Sequence, residues 1–385
     1  MKKYLLVLSG LQLGGAERQA INFAKYLKKT GRSVTILGLT APGRVNDICN
    51  QEKLTCISMP VGREKSCFFL AISNYFRRII GLQEHWIAGE ALMIRLAQYI
   101  KKQSFDICIS YCTYANMILG CAKKYYPIPI YVWYQRDAGI FDETEGYQKR
   151  AVEQVDYILA NGKTGQEWIR KAYGKEAILI YNGIIYEKPI KNRTEWRQKI
   201  GVKESDIVCT MVANLSDTKD HQTLLTICKN LKNYDIKRNI IWVFAGRFDN
   251  QYEKLLKYVR QNGIERQIVF LGEVNDISGL MCATDICVFG AKSEGSPNGI
   301  IESGFAALPV VATDLPEIRE ILAEENYQYL FEASDIEKAS KGLLELAQNA
   351  ELRKKIGLMN QKKIEEKFSY DKNFSEIVSL VERKR

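Results

Sequence analysis

Short apolar runs alternate with longer amphipathic stretches along most of the chain. Clear apolar runs occupy residues 4–9, 33–39, 128–133, 207–213 and 240–245. Runs of this length are typical of buried strands in a parallel sheet, whereas the stretches between them have the period of helices. The pattern therefore predicts an α/β protein in which strands and helices alternate.

The alternation occurs twice, on either side of a polar stretch that follows Ile185. We interpret that stretch as a linker with a short helix, and the two halves as Rossmann-like domains that face a central cleft. The predicted domains are residues 1–188 and 189–367, followed by a closing segment at 368–385. At 385 residues the chain is long enough for two separate cores.

The most informative stretch runs from Asp285 to Asp314. It combines an apolar run, a polar loop, a helical segment and a second apolar run. Ser296 is a favoured residue at the N-cap of a helix, and Pro297 suits the first helical position because its missing N–H would be unpaired there. The sequence predicts a strand, a loop, a helix and a strand.

The start of that helix is a predicted anion site. The next backbone donors are the N–H groups of Asn298, Gly299 and Ile300. In an open α/β sheet such a loop lies at the carboxyl edge of the strands, where the N–H groups and the helix dipole attract an anion. A phosphate group would fit these donors.

Two carboxylates flank the predicted anion site. Glu294 precedes the helix and Glu302 lies in its second turn. Carboxylates accept hydrogen bonds, and the natural donors beside a phosphate are sugar hydroxyls, one carboxylate for a ribose and one for a hexose. On spacing alone, two solvated glutamates beside an ordinary loop remain an equal alternative.

Residues 294–298, Glu302 and residues 307–313 together resemble the Glu-x7-Glu region of the family-4 retaining glycosyltransferases. The resemblance implies the GT-B fold, with the nucleotide sugar on the second domain, the acceptor on the first, and a C-terminal helix that crosses back to the first domain. It also implies that Glu294 orients the donor hexose, that Glu302 binds the ribose, and that the reaction retains the anomeric configuration.

Four further donor positions follow from the resemblance. Gly14 and Gly15 match the first βα turn, and Lys219 matches a lysine that clamps the donor diphosphate, whereas Asn214 stands where the family commonly has arginine. A dinucleotide fingerprint is excluded, because Gly10, Gly14 and Gly15 do not have the GxGxxG spacing.

The acceptor side carries a weaker signal. Ser110, Asn116, Arg136 and Asp137 resemble a branch of the family with a Ser/Asn loop and an Arg-bearing loop, in place of the histidine that many members have. Arg136 can hold an acceptor phosphate or pair with Asp137, and the sequence does not separate these alternatives.

No metal or cofactor is predicted. The sequence has no DxD pair, and with only His85 and His221 no zinc spacing can be assembled. Lys219 and the donors at 298–300 would then stabilise the departing nucleoside diphosphate. The ten cysteines are scattered through apolar runs and are expected to be reduced.

The net positive charge of the chain lies entirely in its first half. Residues 1–190 contain 26 Lys and Arg against 16 Asp and Glu, whereas residues 191–385 contain 29 of each. This excess suggests an anionic partner, which we take to be a membrane surface rather than a nucleic acid; a solvated surface that merely favours solubility is the alternative. Residues 67–86 form either an amphipathic helix at lipid headgroups or a core-facing helix. No run is long enough to span a bilayer, so we expect a cytoplasmic protein at most peripheral to the membrane.

The sequence thus predicts a retaining, metal-independent hexosyltransferase. Its expected donor is a UDP or GDP sugar, and its expected acceptor is a saccharide linked to a polyprenyl or other lipid anchor in surface-polysaccharide assembly. A nucleotide-sugar epimerase of the same fold and a non-catalytic nucleotide-sugar-binding protein are the alternatives, since a fold does not fix the chemistry.

Overall fold

The computed structural model describes residues 1–60, 87–136, 139, 145–236 and 238–383. The chain divides into two compact units, Met1–Gly183 with Tyr370–Arg385, and Ile184–Ser369. The predicted helix at 67–86 lies outside the described residues. Among the described residues, no helix has the length and hydropathy needed to cross a bilayer.

The first unit is built on a parallel sheet of seven strands among the described residues. They are β1 (Lys3–Leu8), β2 (Ser33–Gly38), β3 (Thr55–Ser58), β4 (Ile107–Tyr111), β5 (Ile130–Gln135), β6 (Tyr157–Ala160) and β7 (Ile178–Leu179). Their spatial order is β3-β2-β1-β4-β5-β6-β7, so the order reverses at the β1/β4 boundary. Such a reversal opens a crevice at the carboxyl ends of the strands.

Helices cover both faces of this sheet. They are α1 (Gly15–Lys29), α2 (Arg44–Gln51), α3 (Ile87–Gln103), α4 (Thr113–Ala122), α5 (Glu145–Val152) and α6 (Lys163–Tyr173). Two layers of buried apolar side chains, one on each face of the sheet, form the core. Burial on both faces explains why strands such as β1 are almost wholly apolar.

The last helix, Tyr370–Glu382, belongs to this first unit. Its Phe374 ring packs 5.1 Å from Phe23 of α1, measured between centroids. Near its end, Glu382 accepts hydrogen bonds from the Tyr4 hydroxyl (2.7 Å) and the Arg32 Nε (2.7 Å). The closing segment is thus held by aromatic packing at one end and by a shared carboxylate at the other.

The second unit repeats the architecture with six strands in the described ranges. They are β8 (Ile207–Val212), β9 (Ile240–Ala245), β10 (Ile268–Gly272), β11 (Ile286–Phe289), β12 (Val310–Thr313) and β13 (Leu330–Phe331). The order is β10-β9-β8-β11-β12-β13, again parallel, and it reverses between β8 and β11. The predicted α/β class with two Rossmann-like sheets is confirmed.

The helices of the second unit flank its sheet in the same way. They are α7 (Arg193–Lys199), α8 (His221–Asn230), α9 (Tyr252–Gln261), α10 (Ile277–Ala283), α11 (Asn298–Phe305), α12 (Pro316–Ile321), α13 (Ile336–Gln348) and α14 (Ala350–Lys367), and the closing helix Tyr370–Glu382 is α15. The loops after β8, β9, β11 and β12 all lie at one edge of the sheet. That edge carries most of the predicted donor residues.

Candidate functional site

Two loops meet at the point where the second sheet reverses its order. The loop after β8 contains a short 3₁₀ turn, Asp217–Lys219, and the loop after β11 contains Glu294. The Lys292 N–H donates to the Thr218 carbonyl (2.9 Å), which ties the two loops together. Parallel strands end at a common edge, so residues distant in sequence are brought side by side.

Lys219 and Glu294 form an ion pair across these loops. The Lys219 ammonium donates to a Glu294 carboxylate oxygen. The Glu294 side chain is 7% exposed and that of Lys219 is 25% exposed, so one end of the pair is buried and the other reaches solvent. The lysine also lies 5.7 Å from the centroid of the Phe289 ring. The structure therefore brings together the two residues predicted to be catalytic.

Burial sets the electrostatics of Glu294. Loss of hydration raises the pKa of Glu294 above its ordinary value, and the attraction of Lys219 only partly opposes this. Glu317, in the first turn of α12 and also buried, adds a repulsive negative charge. The site thus holds a carboxylate in a position where its charge is costly, which is common where a ligand must be bound.

Helix α11 starts one residue later than predicted. Pro297, with φ −70° and ψ 106°, occupies the N-cap, and Asn298 is the first helical residue. The predicted cap at Ser296 is therefore wrong, because the chain is still extended at Pro297. The first turn also engages the Ile300 N–H, which donates to the Pro297 carbonyl (3.1 Å) and is not the unused donor that we expected.

Gly299 fixes the start of α11 against the end of β8. A Cβ atom at this position would lie 2.4 Å from the Val212 carbonyl oxygen, so only glycine allows this approach. The helix N-terminus is thereby held beside the β8 loop that carries Lys219. Its dipole favours an anion at this place.

The remaining predicted donor residues of this unit have different surroundings. Glu302 is partly exposed in the second turn of α11. The Asn214 side chain accepts the Arg247 backbone N–H at 3.2 Å. Asn214 therefore has a structural task, the joining of the β8 and β9 loops, which the sequence did not indicate.

Gly14 and Gly15 lie in the first unit, at the start of α1. Gly14 is the N-cap, in an extended conformation, and its carbonyl accepts the Arg18 N–H at 3.0 Å. The turn thus exists where it was predicted, directly after β1.

Ser110 and Asn116 lie in the core of the first unit. Neither residue has exposed surface, and the Ser110 hydroxyl donates to the Asn116 side-chain oxygen at 2.7 Å. The Tyr131 hydroxyl donates to the Asn116 carbonyl at 2.6 Å. Because their polar groups are engaged inside the core, these side chains offer no direct contact surface to an acceptor in this structure.

Arg136 lies at the carboxyl end of β5 and is partly exposed. Its guanidinium donates to Asn182 (2.8 Å) and lies 4.9 Å from the Tyr134 ring centroid. Its Nε is buried without a hydrogen-bond partner among the described residues. Asp137, the other member of the predicted pair, lies outside the described residues.

Two groups near the donor loops were not identified as site residues from the sequence. Glu317 follows a strand end and a proline, a position typical of a helix start, but its proximity to Glu294 needs the fold. His221 is buried at the start of α8, and neither ring nitrogen has a hydrogen-bond partner in the described part of the chain. Only burial distinguishes it from an ordinary surface histidine.

Two family models match the chain. The model described as Glycosyltransferase Family 4 matches residues 13–188, and that described as Glycosyl transferases group 1 matches residues 192–363. Together they span most of the chain. Among solved structures, Anabaena HepE in complex with UDP and glucose is similar with a TM-score of 0.83 at 17% identity, over 99% of both chains. A Staphylococcus aureus TarM mutant in a complex that includes UDP is similar with a TM-score of 0.75 at 14% identity, over 99% of this chain and 100% of the TarM chain.

Relatives identified by sequence are also glycosyltransferases by name. An Escherichia coli UDP-Gal:alpha-D-GlcNAc-diphosphoundecaprenol alpha-1,3-galactosyltransferase is 23% identical over 66% of this chain and 69% of its own length. The putative Bacillus subtilis glycosyltransferase EpsF is 26% identical over 81% and 79%. A Campylobacter jejuni diphospho-undecaprenol N-acetylgalactosaminyltransferase is 26% identical over 52% of this chain and 53% of its own length, so the chain spans about half the length of that relative.

The two family models, together with the two parallel sheets and their topology, define the class: the protein is a glycosyltransferase with the GT-B fold. Within that class, the chain belongs to glycosyltransferase family 4. The predicted family, the GT-B fold and the identity of the protein as a glycosyltransferase are confirmed.

Proposed function

We propose that the protein transfers a hexose-type sugar, with retention, from a nucleoside-diphosphate sugar to a lipid-linked saccharide in surface-polysaccharide assembly. The observation that carries the proposal is the Lys219–Glu294 pair, half-buried beside the start of α11. A cation and a helix N-terminus suit a diphosphate, and a buried carboxylate suits sugar hydroxyls. We assign the donor to the second unit, with Glu302 on the ribose, and the acceptor to the first.

The transfer step follows from these roles. The bond between the anomeric carbon and the diphosphate oxygen breaks, and the acceptor oxygen bonds to the same face of that carbon. The acceptor proton passes to the departing phosphate, so no protein nucleophile is required. Lys219 and the α11 N-terminus stabilise the charge that develops on the leaving group. No divalent ion takes part in this proposal.

UDP is the nucleotide that we favour, with GDP as the alternative, because two structural neighbours carry UDP in their complexes. The relatives from Escherichia coli and Campylobacter act on undecaprenol diphosphate-linked acceptors by name. Together with the basic charge of residues 1–190, they support a lipid-linked acceptor approached from the cytoplasmic face of a membrane. Arg136 is the described cation that we assign to the acceptor side.

The proposal is tested by transfer from radiolabelled UDP-glucose, UDP-galactose, UDP-N-acetylglucosamine and GDP-mannose to a saccharide-diphosphopolyprenol acceptor. The acceptor is presented in vesicles with and without anionic phospholipid. We expect one donor to give a labelled lipid product with an α linkage by NMR, faster on anionic vesicles and unchanged by EDTA.

Donor incubated alone provides the control. Rearrangement of the donor sugar would instead show an epimerase, and binding without any turnover would show a sensor. A product with inverted configuration, or transfer that EDTA abolishes, would contradict the mechanism while leaving the family assignment intact.

A further inference from the structure

The donor edge of the second sheet is close to neutral as the structure presents it. Four cations at this edge are each paired with a carboxylate; the pairs are Lys219–Glu294, Lys292–Asp217, Arg247–Asp249 and Arg319–Asp314. The buried Glu317 adds further negative charge. A nucleoside diphosphate brings at least two negative charges, so a second cation at this edge that exchanged its carboxylate for the diphosphate would stabilise it further.

Arg247 is fixed next to the loop that carries Lys219. A Cβ atom at Gly246 would lie 2.0 Å from the Ala213 carbonyl oxygen, so the β8 and β9 loops approach more closely than any other residue permits. The Leu215 N–H donates to the Arg247 carbonyl (3.0 Å), and the Arg247 N–H donates to Asn214 (3.2 Å). The backbone of Arg247 is thus held by the loop at the crevice.

We infer that Arg247 binds the diphosphate of the donor, an inference that rests on the proposed function. The arginine now pairs with Asp249 through two contacts, of 2.6 Å from Nε and 3.2 Å from Nη2. The two side chains are 38% and 27% exposed, so water screens the pair and its exchange for a phosphate costs little. A guanidinium fork matches two phosphate oxygens as well as it matches two carboxylate oxygens.

Lys292 is the rival cation. It is on the β11 loop, and its pair with Asp217 is more than half exposed at both ends. A flexible ammonium in water loses more freedom on binding and contacts only one phosphate oxygen at a time. Arg247, with its backbone anchored on Asn214, is the better-organised group.

The test is isothermal titration calorimetry of UDP, GDP and their nucleosides with the full chain, and the variants are compared with the nucleotide that binds, which we expect to be UDP. Arg247→Ala should weaken UDP binding about tenfold to a hundredfold, the usual effect of losing a hydrogen-bonded charge. Uridine lacks phosphate, so its affinity should stay within about twofold. Arg247→Lys keeps the positive charge but lacks the two-pronged guanidinium, so its affinity for UDP should lie between those of the wild type and Arg247→Ala. Arg266→Ala, an exposed arginine at the amino end of β10, is the matched control and should bind UDP like the wild type.

The outcomes separate the two levels of inference. If the wild-type chain binds neither UDP nor GDP, both the proposed function and the role of Arg247 are overturned. If it binds UDP and Arg247→Ala binds equally well, only the role of Arg247 is overturned. An equal loss for UDP and uridine would show that Arg247 merely holds the loops. If Lys292→Ala weakened UDP binding and Arg247→Ala did not, Lys292 and not Arg247 would be the cation that binds the diphosphate.

Discussion

The carboxyl edges of the two sheets differ in how far their buried polar groups are paired with one another. In the first unit two pairs of these groups bond to each other: the Ser110 hydroxyl donates to Asn116, and the Trp133 indole N–H donates to Gln135 at 2.9 Å, although the Arg136 Nε has no partner among the described residues. In the second unit, Glu294 is buried with a single lysine, and the imidazole of His221 has no hydrogen-bond partner among the described residues. The first edge thus contains a buried hydrogen-bond network, whereas the second contains a buried charge with one partner and a buried ring with none among the described residues.

The difference indicates that polar groups at the first edge contribute mainly to folding stability and those at the second mainly to ligand binding. A satisfied buried network rigidifies a core and specifies its packing. A buried charge with too few partners lowers stability, and a ligand that supplies the missing partners recovers the cost on binding. We therefore expect substitutions at the first edge to act mainly on stability and substitutions at the second mainly on transfer.

The largest effect is expected from Glu294→Gln. The amide keeps the shape and still accepts a hydrogen bond from Lys219, but it loses the charge that orients the donor sugar. Transfer should fall about a hundredfold to a thousandfold, the usual effect of removing one electrostatic contact to a transition state. The free energy of unfolding should change by less than about 1 kcal/mol. Steady-state kinetics and urea unfolding measure the two quantities.

Lys219→Ala should have a comparable effect on transfer, because it removes the other half of the pair. Glu253→Gln and Lys257→Ala are the controls, since both side chains are exposed on α9. They should retain full activity. A fully active Lys219→Ala protein would contradict the proposed mechanism.

Asn116→Ala should show the reverse pattern. It removes the nearest acceptor of the Ser110 hydroxyl, at 2.7 Å, and leaves only contacts of 3.4 Å, and it opens a small cavity in a fully buried region. We expect a loss of about 2–3 kcal/mol in the free energy of unfolding. Transfer per folded molecule should stay within about threefold, a change of less than about 1 kcal/mol in the barrier.

Asn50→Ala, at an exposed position on α2, is the matched control and should change the unfolding free energy by less than about 0.5 kcal/mol. If Asn116→Ala instead abolished transfer and left stability unchanged, the asparagine would act on the acceptor directly, and the contrast between the two edges would be lost.

The same contrast explains how much the sequence could predict. The strands and the Lys219 and Glu294 positions could be predicted, because apolar runs and loop motifs are local in the chain. The tasks of Asn214, Asn116 and Glu317 depend on neighbours far away in sequence, such as Arg247 for Asn214. A burial pattern is set by the packing of several elements, so one strand or loop alone does not reveal it.

The start of α11 was misplaced for a similar reason. Serine and proline both suit a helix start, and their propensities alone place Pro297 at the first helical position. The approach of Gly299 to the Val212 carbonyl sets where the helix begins, and that contact belongs to the tertiary structure. The resulting one-residue difference changes which N–H groups face a ligand.

The smallest effect at neutral pH is expected from His221→Leu. Burial, followed by the positive charge of Lys219, lowers the pKa of His221 to about 4. The folded state therefore binds this proton less tightly than the unfolded state, so the contribution of His221 to stability is complete above its ordinary pKa of about 6.5 and is lost as the pH falls towards 4. At pH 7 the free energy of unfolding of the variant should lie within about 1 kcal/mol of wild type, because the described residues make no hydrogen bond to the ring that the substitution could remove.

Between pH 6.5 and 4, His221→Leu should remove a slope that approaches one proton, or about 1.4 kcal/mol per pH unit. Urea unfolding at closely spaced pH values measures it. His221→Gln keeps a polar side chain without titrating, so it should flatten the same acid limb while costing more at pH 7. If both variants unfolded in acid as the wild type does, His221 would be hydrated, and the second edge would be less strained than its burial indicates.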